Sequence, residues 1–465
     1  MTAGCRVRGA WHGGAAVCLS LLAASVALAQ VPSAGPPLDR FGGFRPVKLQ
    51  ATGFFRVQKI AERWWLATPD GHPFFSVGVN GIRMNGTATR DGKRHYLDTC
   101  KQTYGTREKW AATQVTRCRE WGVNTVGCWS DWQSLRRDLP YTVALRVGGQ
   151  DWLKGNWTDI FSDQFRLFVR QQVRKVALPL KDDPYLLGYW LANEMKWGPD
   201  HRGGHLFDQF LKLPVTAPAK VALVSFLRER YGTLARLREK LALKADSWDA
   251  LLTLDALPSA SAEATATRLA WAAAVADRFF AVTGEELRKV DPNHLNLGVR
   301  FISQLTPPAV LRAAAKHVDV MSINFYDVGP WRHILRGFSP DHLSIDGFLA
   351  EHYKVCGKPI LISEWGYRAA DVGLPNSWPP IYPTLPDQKT RAARYGAYAR
   401  QVIDKPWLVG HHWFQWVDQP PEGRFDGENN NFGLVNERDE PYEAVTATMR
   451  ALHREIYRVL QPPPK

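Results

Sequence analysis

Short runs of apolar residues alternate with longer segments of helical periodicity along most of the chain. The helical segments include residues 163–178, 265–290 and 391–403, each long enough to return along the outside of a parallel sheet. Strands that alternate with helices in this way indicate βα units. Eight apolar runs can be placed, and these are FFSVGVN (74–80), TVGCW (125–129), YTVALRV (141–147), LLGYWLA (186–192), LNLGVRF (295–301), VDVMSINFY (318–326), PILISEW (359–365) and LVGHHWFQW (408–416).

Eight strands with intervening helices predict an α/β protein built as a (β/α)8 TIM barrel. Before the first run, RWWLATPDGHPFF has aromatic strand character on both sides of a Pro-Asp-Gly turn, which predicts an N-terminal β-hairpin. Residues 198–257 exceed an ordinary βα connection and predict a helical insertion after strand four, over the mouth of the barrel. Because no repeat or linker divides the chain, residues 63–460 are predicted to form one catalytic barrel.

The N-terminal residues have the pattern of an export signal. Arg6 and Arg8 precede an apolar stretch that ends in Ala-Leu-Ala, which predicts a signal peptide over residues 1–29 and a leader segment over residues 30–62. The apolar run is shorter than the roughly 20 residues of a spanning helix, so stable membrane insertion is not expected. We therefore expect a secreted or periplasmic protein.

Charge and cysteine content narrow the possible partners only slightly. Removal of the signal lowers the formal net charge from +14 to +12, and a positive charge favours acidic partners. The basic residues are scattered, so a nucleic-acid partner is not expected. Four of the six cysteines remain after residue 29. Export permits disulfides, and Cys100 with Cys118 is the pair that we predict, whereas Cys128 is expected to be buried in a strand.

Two acidic residues directly follow apolar strands. Strand four runs into Asn193-Glu194, and strand seven runs into Glu364-Trp365. Catalytic groups of parallel barrels lie beyond the C-terminal ends of the strands, and strands four and seven face each other across the barrel. Two carboxyl groups about 5–5.5 Å apart can cleave a glycosidic bond with retention of configuration. The pattern therefore predicts a catalytic pair, in which the charge of Glu364 raises the pKa of Glu194.

These strand ends resemble a known group of enzymes. Together with RWWLATPDGHPFFSVGVNGIR, LLGYWLANEMKWG and VGHHWFQWVDQPPEGRFDGENNNFGLVNERDEPY, they are similar to clan A of the retaining glycoside hydrolases. Within the clan, the resemblance is strongest to the β-agarases of glycoside hydrolase family 50, and it extends from about Arg63 to Tyr442. It implies that Glu194 is the acid/base and that Glu364 is the nucleophile.

The resemblance also implies substrate contacts. Asn193 would hydrogen-bond the sugar 2-hydroxyl, and Tyr326 would orient Glu364 through its hydroxyl. Trp413 would form the apolar floor beneath the reacting sugar, with Trp416 as the alternative. Further polar or aromatic candidates at the predicted mouth are Asn80, Arg83, Trp129, His412 and Asp418.

The leading hypothesis is hydrolysis of β-linked, galactose-containing, agarose-like poly- or oligosaccharides by double displacement through a glycosyl-enzyme. One alternative is a β-galactosidase or β-mannanase-like activity of the same clan, and another is a carbohydrate-binding pseudoenzyme. Nothing in the sequence requires a cofactor or a metal, because Gly203-Gly204 between His201 and His205 argues against a helical zinc pair. The sequence leaves sugar identity, endo or exo action and oligomeric state open.

Overall fold

A computed structural model describes residues 37–257, 260–328 and 345–460 of the chain. The predicted signal peptide and the first part of the leader segment lie outside the described residues. All the described residues belong to a single compact unit. In this part of the chain, no helix combines the length and the apolar character that crossing a bilayer requires.

The structure contains both strands and helices throughout. The strands are β1 (Arg56–Ile60), β2 (Arg63–Ala67), β3 (Pro73–Phe74), β4 (Ser76–Val79), β5 (Thr125–Val126), β6 (Tyr141–Ala144), β7 (Leu186–Trp190), β8 (Leu295–Asn296), β9 (Phe301–Ile302), β10 (Met321–Asn324), β11 (Ile360–Trp365), β12 (Arg368–Ala369), β13 (Thr384–Leu385) and β14 (Leu408–Trp413). The helices are α1 (His95–Tyr104), α2 (Arg107–Trp121), α3 (Trp132–Leu135), α4 (Asp163–Ala177), α5 (Leu206–Leu211), α6 (Pro218–Tyr231), α7 (Leu234–Leu241), α8 (Ala262–Val290), α9 (Pro308–Ala315), α10 (Ile345–Cys356), α11 (Gln388–Ile403), α12 (Glu443–Arg454) and α13 (Ile456–Leu460). Short 3-10 helices occupy Leu178–Leu180, Asp249–Thr253 and Ser303–Leu305.

Nine of these strands form one parallel sheet, in the order β8-β7-β6-β5-β4-β14-β11-β10-β9. The two strands at the ends of this order, β8 and β9, are consecutive in the chain and are both parts of the predicted fifth strand. β8 pairs with β7, whereas β9 pairs with β10. Residues 297–300 therefore link the two ends, and the curled sheet fits a TIM-like barrel.

The three longest predicted helices begin at side chains that bind their free backbone N–H groups. Ser162 accepts from the N–H of Phe165 at the start of α4, and Ser261 accepts from the N–H of Ala264 at the start of α8. Asp387 caps α11 in the same way. These caps fix where each helix starts after its loop, and so where the loop side chains lie.

A small antiparallel sheet precedes the barrel strands. β2 pairs with β1 on one side and with β3 on the other. A Pro-Asp-Gly turn connects β2 to β3, and its Gly71 adopts φ +82°. The apolar side chains of this sheet and of the chain before it pack with side chains from the barrel strands, in a buried cluster that includes Phe41, Phe55, Leu66, Phe74, Leu187, Leu361 and Val409.

The helices after strand four pack on the outside of the barrel. Trp271 of α8 is fully buried, and its ring lies 5.7 Å from Phe210 of α5 and 5.3 Å from Phe226 of α6. None of residues 198–257 lines the cavity described below. The apolar side chains of its helices are buried against α8, whereas Arg202, near the start of the segment, donates to the carbonyl oxygens of the cavity residues Trp152 and Glu194.

The predicted disulfide is wrong. Cys100 of α1 and Cys118 of α2 are free thiols, as are the other two cysteines of the described residues. Both side chains are fully buried in the main apolar core, and burial raises the pKa of each thiol to about 12. They therefore pack as small apolar side chains.

Candidate active site

A cavity of about 1240 Å³ lies at the C-terminal ends of the barrel strands. Its wall is formed by residues that follow the strands, by residues 144–168 after β6, and by parts of residues 414–432 after β14. Both Glu194 and Glu364 line it. The structure thus brings the two acids of the sequence prediction to one concave site, which is where parallel barrels place their chemistry.

Glu364 is held on two sides. It lies in β11, level with Asn324 of β10, and its side chain is almost completely buried. Its Oε1 accepts a hydrogen bond of 2.7 Å from Nη2 of Arg300, and its Oε2 accepts one of 3.2 Å from the Tyr326 hydroxyl. A charge-assisted bond on one oxygen and a second donor on the other fix the orientation of this carboxylate.

Glu194 has a different environment. It follows β7 with φ +48°, and its backbone N–H donates to the carbonyl oxygens of Val299 and Arg300. Its Oε1 accepts a 2.9 Å bond from Nδ2 of Asn324. Burial, and after it the charge of Glu364, raises the pKa of Glu194 from 4.5 to about 7. A large share of Glu194 therefore carries a proton at neutral pH.

Arg300 is a site residue that the sequence prediction missed. It is fully buried with φ +53°, and its Nη2 also donates to the Ser363 carbonyl at 3.0 Å. The guanidinium carbon lies 5.5 Å from the ring centres of both Trp129 and Trp190. The sequence did contain a signal for Arg300, because an arginine in the otherwise apolar run LNLGVRF needs a buried partner.

Asn324 connects the two acids and was also missed. Its Oδ1 accepts a 2.7 Å bond from the Ser363 hydroxyl, next to Glu364, while its Nδ2 donates to Glu194. The side-chain amide therefore has one fixed orientation, with its NH₂ group towards Glu194. A lone asparagine at the end of an apolar strand gave no distinctive sequence signal.

Glu428 is a further glutamate of the cavity lining. Its Oε2 accepts a 2.6 Å bond from Nε2 of Gln419 and lies 3.0 Å from Nη2 of Arg424. Burial raises the pKa of Glu428 from 4.5 to about 7, against the opposing charge of Arg424. Its position in the long segment after β14 could not be read from strand ends.

Four further residues of the sequence prediction line the cavity. These are Asn193, Arg83, Trp129 and Tyr326. Asn193 lies beside the acid pair, where its Oδ1 accepts a long, 3.4 Å bond from Asn324. The hydroxyl of Tyr326 donates to Glu364, as described above.

Trp413 and Trp416 do not line the cavity. Trp413 is fully buried, donates from Nε1 to the Phe432 carbonyl at 2.9 Å, and packs edge-on against Trp365. Trp416 is equally buried and stacks on Trp121. Phe414, between them, lines the cavity instead. Trp413 does not reach the cavity because its ring packs against Tyr395 and Arg391 of α11.

Asn80, His412 and Asp418 also lie outside the described lining, and each is buried with protein partners. Asn80 donates to the carbonyl oxygens of Ser363 and Trp413, and so ties neighbouring strands together. Nε2 of His412 lies 2.8 Å from the Ser76 hydroxyl, and burial lowers its pKa to about 3.

Asp418 accepts bonds of 2.7 Å from the Gly433 N–H and 2.5 Å from the Tyr442 hydroxyl. Asn80, His412 and Asp418 thus hold the framework of the site, because each bonds another part of the protein. Within the described ranges, no cluster of three or more histidine, cysteine or acidic side chains is arranged to hold a metal ion.

Two curated proteins that are similar to this chain are β-agarases. Beta-agarase B of Vibrio sp. (strain JT0107) is 26% identical over 503 residues, covering 91% of this chain and 50% of the relative. Beta-agarase A of the same strain is 28% identical over 474 residues, covering 87% of this chain and 46% of the relative. The chain therefore spans about half the length of these curated relatives. No protein-family profile matches it.

The solved structures that are similar to this chain include agarases. The crystal structure of an agarase, AgWH50C, has a TM-score of 0.80 at 26% identity and covers 92% of this chain and 69% of its own. An exo-beta-agarase has a TM-score of 0.79 at 26% identity, covering 91% and 67%. PfGH50B has a TM-score of 0.80 at 25% identity, covering 92% and 70%. The chain is agarase-like in sequence and in fold. These similarities support a glycosidase.

Proposed function

We propose that this chain is a retaining glycoside hydrolase that cleaves β-linked, galactose-containing, agarose-like poly- or oligosaccharides. The proposal is supported by the similarity to β-agarases over most of the chain. It is also supported by the acids Glu194 and Glu364 in one cavity. In this proposal the curled sheet is a closed (β/α)8 barrel, and the protein is exported through the signal peptide over residues 1–29.

The reaction has two steps in which atoms and charges balance. Glu364 attacks the anomeric carbon, the bond to the leaving oxygen breaks, and Glu194 gives that oxygen its proton. The glycosyl ester formed on Glu364 carries no negative charge. The pKa of Glu194 therefore falls, and its carboxylate takes a proton from the water that attacks the ester. Glu364 leaves as a carboxylate, and the product keeps the β configuration.

The observation that carries the proposal is the difference between the two acids. A double displacement needs one carboxyl group that is charged and fixed and another that holds a proton near neutral pH. Glu364 has a cationic hydrogen-bond partner in Arg300, whereas Glu194 accepts its hydrogen bond from the neutral amide of Asn324. Burial and the charge of Glu364 raise the pKa of Glu194 to about 7.

Other cavity residues take supporting roles in this proposal. Asn193 binds the sugar 2-hydroxyl, where a hydrogen bond strengthens in the transition state. Tyr326 keeps Glu364 in its reactive orientation, since its hydroxyl donates to Oε2. Phe414 and Trp129 offer apolar faces to pyranose rings.

The decisive experiment uses azide with alanine variants and an activated aryl β-galactoside. The Glu364→Ala variant leaves space on the face opposite the leaving group, so azide attacks there and gives an α-galactosyl azide. The Glu194→Ala variant still forms the glycosyl-enzyme from a good leaving group, so azide releases it as a β-galactosyl azide. NMR of the two products distinguishes the roles.

Two results would contradict the proposal. A β-azide from the first variant together with an α-azide from the second would reverse the roles of the acids. Release of an α-configured sugar by the unmodified protein would exclude a retaining mechanism. Circular dichroism of both variants serves as the control for folding.

A further inference from the structure

Two arginines line the cavity without a carboxylate partner. Arg83 follows β4, and its Nη2 donates a hydrogen bond of 3.1 Å to the Thr87 hydroxyl. Arg146 follows β6, and neither guanidinium forms an ion pair with any residue of the described ranges. Arg424, the third arginine of the cavity wall, differs because it pairs with Asp426 at 2.7 Å and with Glu428 at 3.0 Å.

The acids around these two arginines are already engaged. Asp131, the acid whose charge acts most on Arg83, binds Arg107 and accepts the Met84 N–H. The carboxylates of Asp151 and Asp159, which also line the cavity, accept backbone N–H groups of their own loops and of α6. None of these three carboxylates therefore forms an ion pair with Arg83 or Arg146.

The effect of neighbouring positive charges is visible in Arg83. Burial, and after it the positive charges of Arg424, Arg94 and Arg146, lower the pKa of Arg83 to about 10, against the opposing charge of Asp131. Arginines that repel one another in a half-buried site are stabilised by any anion that binds between them. The repulsion thus favours a negatively charged ligand over a neutral one.

Arg146 shares an unusual backbone conformation, a positive φ angle, with three other residues of the site. Arg146 has φ +58°, and Trp129, Glu194 and Arg300 have φ values of +64°, +48° and +53°. Such values are unfavourable for any residue but glycine, and they concentrate where function requires an unusual side-chain direction. Here each of the four side chains is turned towards the cavity or towards Glu364.

An aromatic surface lies beside Arg146. The guanidinium carbon of Arg146 is 5.9 Å from the centre of the Trp129 ring, and both side chains line the cavity. A pyranose ring that stacks on Trp129 would present its ring substituents to the arginine. A flat aromatic face with unpaired guanidinium groups beside it matches a sugar that carries an anionic group, since guanidinium binds sulfate, phosphate and carboxylate oxygens in pairs.

We propose that Arg83 and Arg146 form a subsite for an anionic substituent, either a sulfate ester or a carboxylate, on a galactan sugar bound in this cavity. The inference rests on the proposed function for the sugar class. It adds that the substrate of this chain is an acidic galactan, rather than a neutral one.

Calorimetry with the Glu364→Gln variant as the parent tests the subsite without turnover. Three galactan oligosaccharides of equal length serve as probes: one neutral, one sulfated and one containing a uronate. We expect the parent to prefer an anionic probe, and we expect Arg83→Gln and Arg146→Gln each to reduce the ratio of anionic to neutral affinity about tenfold, as loss of one charge-assisted bond does. Raising the salt concentration should reduce the same ratio.

The matched control is Arg174→Gln, since Arg174 is an exposed arginine of α4 outside the cavity lining. This variant should keep the parent's ratio. A preference restricted to the sulfated or to the uronate probe would support the subsite and identify the group that it binds. Arg146→Lys should retain part of the preference, because the charge remains while the paired geometry is lost.

Equal affinity of the parent for all three probes would overturn the inference, as would a tenfold loss with Arg174→Gln. A loss of affinity in Arg83→Gln and Arg146→Gln that is equal for neutral and anionic probes would also overturn the inference.

Hydrolysis by the unmodified protein tests the proposed function separately. If it cleaves the neutral probe while the parent shows no anionic preference, only the subsite is wrong. If it cleaves none of the probes while the preference is found, only the hydrolase proposal is wrong.

Discussion

The charge of Glu364 should be measurable through the titration of Glu194. We consider Glu364→Gln, which keeps the size of the side chain and removes its negative charge. Glu364 is the largest charge that acts on Glu194, and together with burial it raises the pKa of Glu194 from 4.5 to about 7. Without that charge only burial remains as a strong cause, so the pKa of Glu194 should fall.

The size of the fall can be bounded. Two unit charges about 5.5 Å apart in an effective dielectric of about 20 interact by roughly 3 kcal/mol, or about 2 pKa units. Burial accounts for the larger share of the rise, while Asn324 and Arg300 oppose it. We therefore expect a fall of about one unit, which brings the pKa of Glu194 close to 6 in the variant.

The assay is carbon-13 NMR of protein labelled at the glutamate side-chain carboxyl groups, titrated from pH 4 to pH 9. Loss of one resonance in Glu194→Gln assigns the signal. Glu428→Gln is the matched control, since Glu428 is the weakest of the named causes and its removal should shift Glu194 much less. An unchanged or raised pKa of Glu194 in Glu364→Gln would refute the electrostatic coupling on which the acid/base role depends.

Two further predictions concern Arg300 and Glu194. Arg300→Met should lower kcat/KM by at least a hundredfold, because it leaves the Glu364 carboxylate without its cation. Breaking a buried ion pair from one side costs about 3–5 kcal/mol. A folded variant with the kcat/KM of the unmodified protein would contradict this prediction. Glu194→Gln should unfold at a higher temperature than the unmodified protein at pH 8 and at a similar temperature at pH 4. The reason is that the folded protein keeps a proton on Glu194 that the unfolded chain releases between pH 4.5 and about 7, so the free energy of unfolding falls as pH rises through that window. Thermal denaturation at both pH values should show a gain of about 1–3 kcal/mol at pH 8, and a gain that is the same at pH 4 would show that ionisation is not its cause.

The strands and the acid pair could be predicted because both follow from burial. A parallel strand that is covered on both faces must be apolar along its length, so the eight runs were visible, and so was the change to polar residues where each strand leaves the barrel. Glu194 and Glu364 stand at two such changes. The parallel sheet agrees with this prediction, and its order follows the order of the runs.

The other site residues depend on register, which the sequence pattern does not give. The pairing between β11 and β14 shifts between Ile362 and Trp365, just before the positions of Trp413 and Phe414. A shift of one residue exchanges the side chains that face the two sides of a strand. Strict alternation could therefore not show that Phe414 lines the cavity.

The packing of the insertion and the state of the cysteines could not be predicted for a related reason. Helical periodicity shows that a helix has an apolar face, but not which surface that face will cover. Phe210 of α5 and Phe226 of α6, both in residues 198–257, pack against Trp271 of α8. In the same way, the spacing of Cys100 and Cys118 gave no information on the directions of two separate helices, and both thiols are free in the core.

The active site is built from residues that would each be unfavourable alone. Glu364 is an acid buried in a strand, and Arg300 is a fully buried cation whose Nε and Nη1 have no hydrogen-bond partner in the described structure. Glu194 has a backbone conformation that disfavours side chains. Each is tolerated because of the others: Arg300 neutralises Glu364, and the carbonyl oxygens of Val299 and Arg300 accept the N–H of Glu194. Because these costs are shared, the effects of substitutions at Arg300, Glu364 and Glu194 cannot be additive, and the site must be understood as one electrostatic unit rather than as two acids on a scaffold.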